Sequence, residues 1–378
     1  MVGRWVRLSA VAAAVLATLL IAALLPAVDV NAADDIDGYY TLDDYFALHP
    51  EQAGLSEAFA DLVRRDAEIR PMTQEAPVRI LIVYPGLQVS DYWRRSVAAF
   101  RGRLTELGIS FELQEFFTRP GTALRQQSRI VNEGMATSPD YVVFTLDALR
   151  HRGMVERVLA RRTARVILQN ITTPIKAFEP NHPFLYVGFD HATGARMLAD
   201  RVRLLLPDGA RFAILYGSEG YVSAMRGGVF LAEMLRHGTS ELVASYYVNF
   251  DRERAYLATR DLLEQYPDVE LIYACSTDIA LGVVDALREL GRLDDIIVNG
   301  WGGGSPELAA LAEGTLDFTV MRMNDDNGVA MAEAIRLDLM GEADRVPVVF
   351  SGDLHLVGRE TSEAEIERLK ANAFRYSN

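Results

Sequence analysis

Two arginines stand where a chain most easily arranges chemistry. Arg322 directly follows an apolar run at 318–321, and Arg226 falls in the first turns of the helical stretch after another run at 212–216. Both stay cationic at physiological pH, and their planar guanidinium groups suit an oxyanion or a cluster of hydroxyls. Other polar groups recur at the same kind of place. Gln88 and Ser90 lie in the turn after 80–84, and Trp93 comes a helical turn later. Asn170 closes the run near 166–171, Thr277 and Asp278 follow 271–275, and Trp301 follows 296–299. Convergent donors, a carboxylate and aromatic walls are the ingredients of a small-molecule site. A sugar ring fits that mixture, because it has apolar faces and hydroxyl edges. Singly, each residue has a plainer explanation: Asn170 as a turn residue, Gln88 and Ser90 as turn chemistry beside a packed Trp, Arg226 as a surface arginine. Their recurrence at strand ends is harder to dismiss. Of three Trp in the chain, Trp5 lies in the leader and the other two both fall at these positions.

The elements that must position these groups are legible as alternating patterns. Short apolar runs occur at 80–84, 111–117, 141–146, 166–171 and 184–189, then at 212–216, 242–248, 271–275, 296–299 and 318–321. A late run at 346–350 contains Pro347, which marks an edge strand or a strand start. Amphipathic stretches at 91–107, 222–236, 252–265 and 277–290 separate them. Strands alternating with helices predict parallel sheets covered on both faces. So many strands exceed one open sheet of this length, so the expected fold is α/β with two doubly wound, Rossmann-like lobes. In such folds ligands sit beyond the carboxyl ends of the strands. The expected lobes are residues 79–190 with 324–345, and 191–323 with 346–378. A three-strand hinge crosses near Asp190, near Asn324 and over 340–347.

Two segments precede the lobes. Arg4 and Arg7 followed by an apolar stretch at 10–28 read as an export signal over 1–32, with cleavage near Ala32/Ala33. A helix over that stretch would span about 28 Å, so an uncleaved anchor also fits by length. Pro26, Asp29 and the small residues at the end favour cleavage and a mature protein that is not embedded in a membrane. Residues 33–78 hold eleven acidic residues and three Arg. Tyr39, Tyr40, Tyr45 and Phe46 and a helical pattern around Leu55, Phe59 and Val63 suggest a segment packed on the body, with a solvated leader as the alternative.

The formal net charge of −14 argues against nucleic acid as a partner. Cys275 is the only cysteine, so neither an intrachain disulfide nor a cysteine zinc site is available. The six His show no metal-ligand spacing, and no catalytic motif stands out. Gly300-Trp301-Gly302-Gly303-Gly304-Ser305-Pro306 lacks the third glycine of a dinucleotide fingerprint and reads as a turn with a helix start.

Several long segments resemble a known family. They include Val83 to Trp93, Leu168 to Pro174, Phe184 to His191, Tyr273 to Asp278, Asn299 to Ser305 and Val320 to Asp326. Together they resemble the LuxP-type autoinducer-2-binding proteins, within the type I periplasmic binding proteins. The resemblance implies a periplasmic receptor rather than an enzyme. It implies a furanosyl borate diester as ligand, with borate part of the ligand and no other cofactor. It also implies a LuxQ-type sensor histidine kinase as partner. Carried over residue by residue, the ligand contacts would be Gln88, Ser90, Trp93, Asn170, Arg226, Thr277, Asp278, Trp301 and Arg322. The alternative is a pentose- or ribose-type binding protein feeding an ABC transporter, in which Asp278 pairs with arginine around a neutral sugar.

Overall fold

The computed structural model describes residues 38–378 except 71–72, 122, 147–150 and 239. The leader at 1–32 lies outside the described residues. The described residues open with two helices, α1 (Leu42–Leu48) and α2 (Pro50–Arg64), and the Thr41 hydroxyl caps α1 by accepting from Asp44 N–H. The acidic segment is therefore helical over 42–48 and 50–64, and it buries Tyr45, Phe59 and Val63 there. Phe59 of α2 meets the Phe350 ring edge-on at 5.8 Å.

The first lobe runs β1 (Val78–Tyr84), α3 (Tyr92–Glu106), β2 (Phe111–Phe117), α4 (Leu124–Met135), β3 (Tyr141–Thr145), α5 (His151–Arg161), β4 (Arg165–Gln169) and β5 (Leu185–Phe189). The second runs α6 (His191–Leu205), β6 (Arg211–Tyr216), α7 (Tyr221–Ser223), α8 (Val229–His237), β7 (Glu241–Tyr247), α9 (Arg252–Gln265), β8 (Leu271–Ala274), α10 (Thr277–Leu290), β9 (Ile297–Gly302), α11 (Ser305–Ala312) and β10 (Phe318–Arg322). The chain then returns through α12 (Asp325–Leu339), β11 (Val349–Gly352), β12 (Leu354–Gly358) and α13 (Glu363–Ala373).

Two six-stranded sheets result, in the orders β11-β5-β4-β3-β1-β2 and β12-β10-β9-β8-β6-β7. β3, β5 and β10 are buried at every position, as strands covered on both faces must be. The edge strands β2 and β7 are largely exposed or half-buried, and their sequences carry polar residues accordingly. Two doubly wound lobes are thus what the chain forms.

Three details depart from the sequence reading. First, β11 pairs in parallel with β5, so Val349–Gly352 belongs to the first sheet. The expected boundary at 345/346 gives way to a crossing at Asp353, between β11 and β12; residues 340–347 stay with the first lobe. Second, β12 is a twelfth strand, antiparallel to β10, with no counterpart among the expected runs. Third, α7 and α8 join through a π-helical turn at Ala224–Gly228, where a single helix was expected. The first sheet's β5 ends at Phe189, just before Asp190, and the second sheet's β10 ends at Arg322, just before Asn324. Asp190 caps α6 through Ala192 and Thr193 N–H. Met323 N–H donates to the Asp353 carbonyl at 3.0 Å, which ties two crossings together.

Candidate functional site

The strand ends of both lobes face each other across one small cavity. Its lining includes Gln88, Ser90, Trp93, Asn170, Arg226, Thr277, Trp301 and Arg322, eight of the nine expected site residues. The water-accessible space is about 40 Å³. At roughly 10–15 Å³ per water position, that holds only a few waters, so the closed cleft has no room for an oligosaccharide.

The ninth residue, Asp278, lies outside this lining and faces a neighbouring groove. Both of its oxygens are taken by the opposite lobe, from Val89 N–H at 2.8 Å and Ser90 N–H at 3.0 Å. It sits in the first turn of α10, which Ser276 caps. Burial raises its pKa, opposed by those two N–H donors. Asp278 is thus a latch between lobes. A second latch joins α3 to α11: Ser305 N–H donates to Asp91 at 3.2 Å, and Arg95 reaches the Ser305 hydroxyl at 2.7 Å. The lobes are closed on one another in this structure.

Each arginine is held against an aromatic ring. The Arg226 guanidinium lies 4.1 Å from the Trp301 ring centroid, and Arg322 lies 4.0 Å from that of Tyr92. Arg226 donates to the Cys275 carbonyl at 3.0 Å. Among the described residues neither arginine forms an ion pair, and the Nε–H of each is buried without a hydrogen-bond partner. Burial and then the charge of Arg322 pull the Arg226 pKa down to about 10. Burial also lowers Arg322, against a favourable pull from Tyr92, Glu307 and Asp91. Two cations are therefore confined together with donors to spare. An incoming group with negative charge or several oxygens would satisfy them.

The walls are fixed from behind. Tyr92 receives hydrogen bonds from Asn327 at 2.7 Å and Gln169 at 3.2 Å. Trp93 packs on Tyr84 and Tyr92, with centroids 4.5 and 4.7 Å away. The Trp301 indole N–H donates to Tyr273 at 3.3 Å. Tyr273 in turn donates to the Arg226 carbonyl at 3.0 Å. Trp301 thus offers the cavity its face and not its N–H.

Two residues that shape the site were missed from sequence. Tyr92 starts α3 beside Trp93, and Glu307, in the first turn of α11, is fully buried. Its carboxylate accepts from Trp301 N–H at 2.9 Å, Gly303 N–H at 2.7 Å and the Thr319 hydroxyl at 2.5 Å. It holds the turn at Gly302, whose φ of +139° and missing side chain leave room for the Arg322 guanidinium. Asn170 adopts a φ of +67°, and its Oδ1 is buried with no protein partner. Behind it, the neutral His191 ring bonds the Asn170 carbonyl at 3.2 Å. Burial, then Arg226 and Arg322, hold the His191 pKa well below its usual value.

Comparison with known proteins gives the family. A periplasmic binding protein domain model matches residues 80–343. The chain is 27% identical over 172 residues to the ribose import binding protein RbsB of Salmonella typhimurium, covering 46% of this chain and 57% of that protein. It is 30% identical over 157 residues to the D-allose-binding periplasmic protein of Escherichia coli, covering 41% and 47%. The alignments thus span about half the length of these curated relatives. Among solved structures, an Actinobacillus succinogenes 130z solute-binding protein with bound D-allose superposes with a TM-score of 0.66 at 20% identity, covering 77% of this chain and 99% of that one. A Bacillus halodurans C-125 solute-binding protein with bound myo-inositol gives a TM-score of 0.66 at 20% identity, covering 79% and 99%. Among the described residues no helix is long and apolar enough to cross a membrane.

Proposed function

Since the chain belongs to the periplasmic binding protein family, we propose that it is an exported receptor, not an enzyme, that closes its lobes on one small polyol ring carrying negative charge. The observation that carries this reading is the buried pair Arg226 and Arg322, without a carboxylate partner and with Nε–H donors to spare. The carboxylate expected to pair with arginine around a neutral sugar, Asp278, lies outside the cavity lining and accepts from Val89 and Ser90 instead.

Within that class the ligand that fits is the furanosyl borate diester form of autoinducer-2, as the sequence resemblance implies. Tetrahedral borate carries one negative charge, and two guanidinium groups can share it. Asn170 Oδ1, Gln88, Ser90 and Thr277 would take the hydroxyls, while Trp93 and Trp301 cover the ring. Boron enters as part of the ligand. Ligand contacts from both lobes would shift the open–closed equilibrium. In this reading, the periplasmic domain of a LuxQ-type sensor histidine kinase senses the state. Export with removal of residues 1–32 belongs to the same reading.

A second reading is a neutral sugar-binding protein of an ABC transporter. The relatives named above favour it directly, since those proteins bind ribose and D-allose. Calorimetric titration separates the two. Purified mature protein is titrated with the autoinducer-2 precursor with and without borate, and with D-ribose and D-allose. Heat that requires borate, with both sugars silent, supports the receptor. Binding of either sugar, or of the precursor equally well without borate, moves the chain to sugar uptake.

A further inference from the structure

The helices α1 and α2 and the residues leading into them precede the part of the chain that the family model matches. The family model begins at residue 80. Solved relatives are covered over 99% of their length by less than four-fifths of this chain. The segment therefore lies outside the matched family domain.

The segment touches both lobes. On the first lobe, Gly38 to Tyr40 run antiparallel to the loop that follows β4 and Asn170. Tyr39 bridges Ile175, Tyr40 N–H donates to Pro174 at 2.9 Å, and Lys176 N–H donates to Gly38 at 2.9 Å. On the second lobe, the Tyr39 ring stacks on Tyr221, centroids 5.5 Å apart and planes 25° from parallel. Tyr221 begins the helix that carries Arg226. Its ring also meets His191 at 5.7 Å, and His191 meets Trp301 edge-on at 5.3 Å. A continuous row of rings thus leads from this segment to the aromatic wall under Arg226.

The other end of the segment grips the hinge. Arg64 of α2 forms two hydrogen bonds to the Asp353 carboxylate, each 3.0 Å. Asp353 is the crossing between β11 and β12. Gln52 accepts from Val348 N–H at 2.8 Å, one residue before β11. The pivot is thus fixed to the first lobe, while the Tyr39 stack spans a gap that hinge rotation would open.

We infer that Tyr39 is a positioning residue of the binding site: its ring, anchored on the first lobe, holds Tyr221 and the Arg226 helix in the closed position. This rests on the cleft being the ligand site. An aromatic stack of this kind is worth roughly a three- to tenfold change in an equilibrium.

The test uses the mature chain, Tyr39→Ala and Tyr39→Phe. Trp93 and Trp301 are its only tryptophans once Trp5 has left with the leader, and both line the cleft. Acrylamide quenching without ligand therefore reads closure directly. Tyr39→Ala is expected to be quenched more strongly and to bind the precursor with borate, or D-ribose, roughly three- to tenfold more weakly through faster release. Tyr39→Phe keeps the stack and is expected to match the parent in both. Quenching and affinity unchanged in Tyr39→Ala would overturn the inference, as would equal losses in Tyr39→Phe. If the parent binds neither titrant, the reading of the cleft fails, while the quenching comparison still judges the role of Tyr39.

Discussion

Arginine is buried in two regions of this molecule, and the two treat it in opposite ways. Behind the first lobe, Arg103 is fully enclosed between α3, α12 and the C-terminal tail. It meets the Glu333 carboxylate at 2.7 Å, the Tyr376 hydroxyl at 2.8 Å and the Arg65 carbonyl at 3.1 Å. Arg336, on the next turn of α12, shares Glu333 at 2.6 Å. Burial pulls the Arg103 pKa down, but Tyr376 and Glu333 more than offset it, and the pKa is raised. In the cleft, Arg226 has one carbonyl and a ring, Arg322 has a ring, and both pKa values fall. An arginine buried for structure comes with its counter-ion. One buried without a counter-ion costs stability, and the arrangement makes sense where something else supplies the charge.

The largest test of that contrast is Glu333→Ala. Removing the shared carboxylate leaves Arg336 without its counter-ion and Arg103 with only Glu106, at 3.5 Å, so urea midpoints should report a loss of about 3–5 kcal/mol. Ligand affinity of the folded variant should match the parent, because Glu333 is remote from the cavity. A loss within experimental noise would mean that the two regions do not differ in the way argued here.

The next test works in the reverse sense. Arg226→Met removes a charge-assisted clamp worth about 1.5–3 kcal/mol per hydrogen bond, so affinity should fall at least tenfold. The ligand-free protein should become more stable, by an amount on the order of 1–3 kcal/mol, because an uncompensated charge no longer enters the interior. Calorimetry and thermal melts read the two together. Weaker binding with lower stability would make Arg226 an ordinary structural residue.

This contrast also marks what the sequence could and could not disclose. Runs such as 141–146 and 184–189 were legible because strands covered on both faces must be apolar throughout. The helix at 252–265 was legible because its stripe is amphipathic. Arg226 and Arg322 were legible as strand-end cations. That neither meets a carboxylate was not, since partners come from other elements. The same limit hid Glu307, whose acceptors for Trp301 and Gly303 exist only once the turn has formed. Asp278 was visible as an acid at a helix start, but its two donors come from the opposite lobe. The third crossing was misplaced because 346–350 carries no mark of its pairing with β5, and β12 is short enough to pass for a tail.

A case between the two extremes gives the smallest effect. Asp326, at the start of α12, is buried 2.9 Å from Arg375. Burial is the main influence, eased by Arg375 and Arg64 and aggravated by Asp353 and Asp325, and the pKa is pushed up to about 6. The partner is present but insufficient. The unfolded chain releases this proton near pH 4, whereas the folded chain keeps it to about 6, so the folded state binds more protons across that window. Stability from this group is therefore greatest below the window, falls as pH rises through it, and is flat above. Asp326→Asn mimics the protonated form at every pH. Its advantage over the parent in thermal melts should be positive at pH 7 and smaller at pH 5 by about 1 kcal/mol. An asparagine variant less stable than the parent at pH 7 would show that the Arg375 pair outweighs burial, and would move Asp326 into the company of Glu333.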